Sequence, residues 1–172
     1  RRTLMMALAS GAAGCGMPST RAGLAPNGGG RWVDWEHFPS RFVAPRKVRV
    51  WLPPEYDASH ENFAVLYMQD GQNLFDPPSP MARGAWDVDR HLLALRKSGE
   101  VRPTIVVAVW NAEDNRAREY GPQAPIEALP AELRRLVPPA GRSADTEPLA
   151  DGYVRFLATE LKPFIDGHYR TR

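Results

Sequence analysis

The sequence predicts an α/β fold, in which helices cover one sheet whose later strands are parallel. Three observations predict it. Residues 31–38 and 42–53 alternate apolar with polar side chains, as half-buried antiparallel strands do. Residues 63–68 and 104–109 are nearly unbroken apolar runs, the pattern of strands covered on both faces. Amphipathic stretches at helical spacing lie at 87–98 and 151–168. Two antiparallel strands followed by strand, helix, strand and helix describe an open α/β sheet.

Taken in order, the first fifteen residues read as an export signal. Arg1 and Arg2 give a charged start, and residues 4–9 a short apolar core. Ala12, Ala13 and Gly14 are the small side chains that a signal peptidase requires before Cys15. Small residues directly before a lone Cys resemble a bacterial lipoprotein box, although Ala12 stands where such boxes carry Leu or Val. That resemblance implies lipid on Cys15 and an exported protein, periplasmic or at the cell surface, that meets a membrane only through this anchor. Residues 1–5 are also similar to part of a twin-arginine motif, so both export routes stay open. The competing reading of Cys15 is a small buried side chain in a short helix. Residues 16–30, which end in Gly28-Gly29-Gly30, read as a flexible tether. The folded part is expected over 31–172.

Within it, Phe42, Val48, Val50 and Leu52 sit among Arg and Lys, and Pro53-Pro54 closes their strand. The run at 63–68 stops at Asp70-Gly71, a turn signal. A loop with Pro77, Pro78 and Pro80 leads to the helix at 87–98. Val88, Leu92, Leu93 and Leu95 form its apolar stripe, and Gly99 marks its stop. Pro103 introduces the second apolar strand. Residues 111–148 are polar and rich in Pro, with one weak helical stretch at 131–136. In the helix at 151–168, Tyr153, Phe156, Leu157, Leu161, Phe164 and Ile165 recur at helical spacing before Gly167. Pro163 demands a kink or a helix boundary near Lys162.

Composition narrows the function classes. The 172 residues are 43% hydrophobic and 24% charged, which excludes a collagen-like, coiled-coil or broadly disordered chain. A net charge of +2 gives no basic stripe, so nucleic acid is not an expected partner. The one Cys cannot form a disulfide within the chain. No apolar run approaches the roughly 20 residues of a membrane-spanning helix. His37, His60, His91 and His168 lack the spacing of a metal site or a triad. Glu113 and Asp114 are adjacent acids in a loop and read as solvated. No metal or other cofactor is expected.

Several segments then stand together: residues 48–56, AVLYMQDGQNLF at 64–75, the helix start at Trp86-Asp87, VVAVWN at 106–111, Arg118-Glu119-Tyr120-Gly121-Pro122, and ELKPFIDGHYRTR at 160–172. In that order they resemble the putative-esterase branch of the α/β-hydrolases, which includes esterase D, enterochelin esterase, feruloyl esterases and the antigen 85 mycolyltransferases. The resemblance covers roughly residues 42–172. It implies an α/β-hydrolase-type open sheet, antiparallel in its first strands and then parallel with crossover helices. It also implies an enzyme that hydrolyses carboxylic esters or thioesters through a Ser-His-Asp/Glu triad.

In that family the nucleophile elbow follows the segment matched by 160–172. The sequence is therefore expected to be an amino-terminal portion that stops before the elbow. Gly-x-Ser-x-Gly occurs nowhere in it. Its nearest spelling, Gly141-Arg142-Ser143-Ala144-Asp145, has no strand before it, and Ser79 and Ser98 fail in the same way. Chemistry in open α/β sheets sits at the carboxyl ends of strands, here at 69–75 and 110–115. The resemblance makes the Gln72 N–H one of two oxyanion-hole donors, aimed by the tight turn that Gly71 permits. The other reading is an ordinary turn in which Asp70 caps its own backbone. By the same resemblance Asn73, Phe75, Trp86, Asn111 and Tyr120 line the acyl or alcohol pocket, with core packing as the alternative for Phe75 and Trp86. Two function classes follow: an esterase acting on a small-molecule or polysaccharide-linked ester, and a non-catalytic binding or scaffold protein of the same fold.

Overall fold

The computed structural model describes residues 20–25, 29–75, 84–121, 123–134 and 149–172. Strands β1 (Thr20–Leu24), β2 (Arg31–Phe38), β3 (Arg46–Leu52), β4 (Ala64–Met68) and β5 (Thr104–Val109) form one sheet in the order β1-β2-β3-β5-β4. The first four in that order pair antiparallel, and β4 runs parallel to β5 with Ala64 opposite Thr104 and Met68 opposite Ala108. Helix α1 (Glu55–Ala58) follows β3, and α2 (Val88–Lys97) makes the crossover from β4 to β5. Then come α3 (Arg116–Tyr120), α4 (Gln123–Glu127), α5 (Ala131–Arg134), α6 (Ala150–Arg155) and α7 (Lys162–His168). This is the predicted sheet, antiparallel at first and then parallel across a helix.

Strand periodicity divides the core into two layers. Ile105, Val107 and Val109 of β5 share one sheet face with Val48 and Val50 of β3 and pack with Tyr153, Phe156, Leu161 and Ile165. Val106 and Ala108 point to the opposite face beside Trp51 and pack with Leu74 and Phe75, with Leu92 and Leu93 of α2 packed above. Both faces of β5 are therefore buried, which is why it reads as an unbroken apolar run. The other apolar run behaves differently. β4 lies at an edge, half-buried, with Leu66 39% exposed. Apolarity reports the faces a strand is built to cover and says nothing of its neighbours in the sheet. On the open side of β4 the entry alone is met: Phe63 donates to the Arg170 carbonyl at 2.8 Å, and Arg172 donates to the Phe63 carbonyl at 3.1 Å. These bonds form a parallel bridge between Phe63 and Thr171.

Part of the expected tether is strand. Residues 20–24 pair with β2 over their whole length, Ala25 is buried, and Trp51 Nε1 donates to the Gly29 carbonyl at 2.7 Å. The glycines serve close approach here, not flexibility. At Gly30, with φ +95°, a Cβ would lie 2.2 Å from the Leu52 carbonyl oxygen, and at Gly23 it would lie 2.8 Å from Trp32 Nε1. Cys15, Ser79, Ser143, the three loop prolines and the end of the 131–136 stretch lie outside the described residues.

Three further boundaries differ from expectation or refine it. β3 begins at Arg46 instead of residue 42, because the Ser40 hydroxyl accepts from the N–H groups of Phe42 and Val43 and holds a bend there. Leu95 turns outward from α2, while Gly99 at φ +79° closes the helix as predicted. The boundary demanded by Pro163 falls at Lys162. Before it, residues Phe156–Leu161 widen into a π-helical turn, in which Lys162 donates to the Leu157 carbonyl. Pro163 thus sits in the first turn of α7, where its missing N–H is tolerated. Helices α3 and α4 carry no periodic signal long enough to be read in the sequence.

Candidate active site

The two strand exits named from the sequence meet, because β4 and β5 are parallel neighbours and end at the same side of the sheet. After β4 the chain turns through Asp70, held in the left-handed region at φ 54°, ψ 45°. Asp tolerates this region better than most side chains. Gly71–Asn73 then form a single 3-10 turn, closed by an Asn73 N–H bond to the Asp70 carbonyl at 2.9 Å. Gly71 is buried against the Trp110 ring, where a Cβ would come within 2.5 Å of Cε3. The glycine is needed for this approach of β5's exit, a different reason from the one expected. After β5, Trp110 donates to the Lys47 carbonyl, and Glu113 takes φ 47° just before α3.

Asp70 is the hub that joins the two loops. It is 7% exposed. Arg116 donates to it twice, from Nε to Oδ1 at 2.7 Å and from Nη2 to Oδ2 at 2.6 Å. Asn111 Nδ2 adds a bond to Oδ1 at 2.7 Å, and Gln72 Nε2 lies at 3.5 Å from the same oxygen. The Arg116 guanidinium, despite the opposing effect of burial, holds the Asp70 carboxyl below its usual value. The Gln72 side chain is itself held, since its Oε1 accepts from the Asn111 N–H at 3.4 Å. The Gln72 backbone N–H finds no acceptor among the described residues. An N–H at the carboxyl end of a strand with no acceptor among the described residues has the chemistry to bind an anionic oxygen.

A buried ion pair holds the far wall. Arg46 at the start of β3 donates from Nη1 and Nη2 to the two Glu119 oxygens of α3, both at 2.7 Å. Their side chains are 3% and 2% exposed. This pair fixes α3 on the sheet, and with it Arg116, whose guanidinium lies 5.0 Å from the Tyr120 ring centre. Tyr120 in turn packs on Tyr153, with ring centres 5.2 Å apart. Burial pushes both phenols up.

Of the residues proposed from the sequence, Gln72, Asn111 and Tyr120 gather around Asp70. Asn73 adjoins them, and its carbonyl accepts from the Trp86 N–H at 2.8 Å. The Trp86 side chain is 49% exposed, outside both core layers. Phe75 is buried in the layer under α2, with its ring centre 6.5 Å from that of Trp32. Sequence reasoning missed Asp70 as the hub and missed Arg116 entirely. The available signal was an acid at one strand exit and an Asn and an Arg within seven residues of the neighbouring exit. All four His are exposed. Among the described residues, no cluster of His, Cys, Asp and Glu is placed to hold a metal ion, and no helix is long and apolar enough to cross a membrane.

Comparison with known proteins gives this geometry its context. No curated protein matches the chain. Among solved structures it is similar to an IroE-like serine hydrolase from Shewanella oneidensis, with a TM-score of 0.50 and 21% identity over 89% of this chain and 40% of that one. It is also similar to the BES protein from Bacillus cereus, with a TM-score of 0.49 and 16% identity over 89% and 49% of the two chains. A CE1 ferulic acid esterase from Anaeromyces mucronatus follows, with a TM-score of 0.44 and 17% identity over 95% and 47%. At such identities the likeness is one of fold, and the chain spans less than half the length of these three structures. A family model described as Putative esterase matches residues 40–172, from the bend before β3 through the Asp70 turn to the residues after α7. The chain belongs to the putative-esterase family.

Proposed function

We propose that this chain supplies the electrophilic half of a serine esterase site, with the Gln72 N–H as one donor of the oxyanion hole. The single observation that carries the reading is that N–H, which meets no acceptor among the described residues and is held at the exit of β4 beside the exit of β5. In the proposed reaction a Ser hydroxyl attacks the carbonyl carbon of a carboxylic ester or thioester while a His takes its proton. The carbonyl oxygen becomes anionic and accepts from the Gln72 N–H, and the alcohol or thiol then leaves with a proton returned by the His, which leaves the acyl group on the Ser. A water, its proton taken by the same His, attacks that acyl carbonyl, and the carboxylic acid leaves as the Ser regains its proton. A donor placed where charge develops is worth about 3–4 kcal/mol to such a step. The Ser, the His and the acid that orients it are assigned to residues outside this sequence, since no elbow can be read within it. Asn73, Trp86 and Tyr120 are proposed to border the acyl or alcohol pocket, Asn111 to hold the turn, and Phe75 to support it from the core. The substrate is a small-molecule or polysaccharide-linked ester, met outside the cytoplasm by a protein tethered through Cys15.

The test uses the whole protein that carries this sequence, alongside the 172-residue polypeptide alone. The whole protein is expected to turn over a p-nitrophenyl ester and to be labelled covalently by a fluorophosphonate, whereas the polypeptide does neither. Failure of the whole protein in both assays would favour the non-catalytic scaffold. Labelling of the polypeptide alone would place the nucleophile where this reading denies it.

A further inference from the structure

We propose that Arg116 is a positioning residue for the oxyanion turn, setting the direction of the Gln72 N–H through its two-pronged hold on Asp70. The inference rests on the esterase reading and adds to it a device that the fold alone does not require. Its starting point is the peptide that carries the donor. That peptide joins Gly71 to Gln72, and a glycine on its amino side restricts it least of any residue. Its direction therefore depends on what pins the positions on either side. The Asn73 bond to the Asp70 carbonyl closes the turn but constrains the oxygen of the preceding peptide, and the donor peptide's own oxygen, on Gly71, accepts only a long bond from the Leu74 N–H at 3.4 Å.

Two things pin the flanks. On the carboxyl side, the Gln72 side chain is held by the Asn111 N–H. On the amino side, Asp70 is kept in the left-handed region with its carboxylate facing Arg116, Asn111 and Gln72. Residues held in sparsely populated backbone regions persist when their surroundings over-determine them. Here the over-determining group is a guanidinium that meets both carboxylate oxygens at once. It reaches across from the exit of β5, and its own helix is fixed by the buried Arg46–Glu119 pair. Asp87 and Glu113, the other described residues with positive φ and a side chain, also lie on loops leaving these two strands. A planar fork fixes an angle as well as a charge, which an ammonium cannot do. Arg116 is thus suited to aiming the turn and not merely to neutralising Asp70. Its side chain is half exposed, so replacing it leaves no buried void.

The experiment compares the whole protein with its Arg116→Gln and Arg116→Lys variants in two measurements. The first is the kinetics of p-nitrophenyl acetate hydrolysis. Since losing an oxyanion donor outright costs about 100- to 1,000-fold in kcat, misdirecting it should lower kcat by about 10- to 100-fold in Arg116→Gln. KM should stay within about twofold, and Arg116→Lys should fall between the two. The second is the position of the Gly71 and Gln72 amide resonances in isotope-labelled protein, which should move in Arg116→Gln and stay in place in Lys162→Gln, a control on the outer face of α7. If Arg116→Gln fails to fold, Arg116→Lys carries the same comparison. Unmoved resonances, or an unchanged kcat in an active protein, would overturn the proposal. Moved resonances in a wild-type protein that hydrolyses nothing would uphold the positioning and defeat the esterase reading instead.

Discussion

Asp70 carries a charge whose protonation is linked to folding. Its carboxyl titrates below its ordinary value because Arg116 and Asn111 bind the charged form. A depressed carboxyl contributes stability that is fully present above the unfolded value, about 3.9, and is lost as pH falls through the lower folded value. Asp34 behaves alike: burial opposes its ionisation, but bonds from Arg49 and Lys47 outweigh it and bring the carboxyl down. Denaturant unfolding between pH 5 and pH 3 should therefore show a shallower loss of stability in Asp70→Asn than in the natural chain, with Asp34 supplying part of what remains. Equal slopes would remove Asp70 from the account. Gly71 makes a second test at this scale. A methyl group there must displace the Trp110 ring or the turn, so Gly71→Ala should cost about 1–3 kcal/mol, the usual penalty of overpacking. A melting temperature unchanged from that of the natural protein would show that the ring yields freely.

At the scale of elements, the wall formed by α3 depends on one buried ion pair. Removing one partner of such a pair strands the other charge, at a cost of about 3–5 kcal/mol, whereas apolar replacement of both is often nearly neutral. Glu119→Gln should thus destabilise strongly, and the pair Arg46→Met with Glu119→Leu should recover most of the loss in the same unfolding measurement. Additive losses in the double variant would contradict this. The elements also show what the sequence could tell. β5 was legible because burial of both faces leaves an unbroken apolar run, and the 151–168 helix because burial of one face leaves a helical period. β1 was not, because its five residues, Thr20, Arg21, the small Ala22 and Gly23, and an exposed Leu24, carry no alternation and read as a tether. The Asp70–Arg116 contact was not legible either. It joins the turn after β4 to the first residue of α3, 46 residues on, and an ion pair between such distant positions has no period to read. Gln72 and Asn111 were reached only through the family resemblance, which located the turn but not the bonds that hold it.

For the whole molecule, the sheet places both loop exits on one side and leaves β4 at the edge, where Phe63 and Thr171 already form a parallel bridge. The proposed extracytoplasmic role makes a separate prediction here. In a bacterial host the natural protein should fractionate with membranes through lipid on Cys15, and Cys15→Ser should release it. Retention of Cys15→Ser in the membrane fraction with unchanged processing would end the lipoprotein reading. It would leave the oxyanion turn untouched.

The central claim is that one backbone N–H, at Gln72, stabilises the transition state. Replacing Gln72 by its α-hydroxy analogue in the whole protein exchanges that N–H for an ester oxygen and keeps the side chain. Because the N–H has no acceptor among the described residues and the Gly71 carbonyl, weakened as an ester, accepts only a long bond from Leu74 at 3.4 Å, folding should be little affected, while kcat for p-nitrophenyl acetate should fall about 100- to 1,000-fold at a similar KM. A backbone-ester protein that melts like the natural one and hydrolyses the ester at the same kcat would contradict the account.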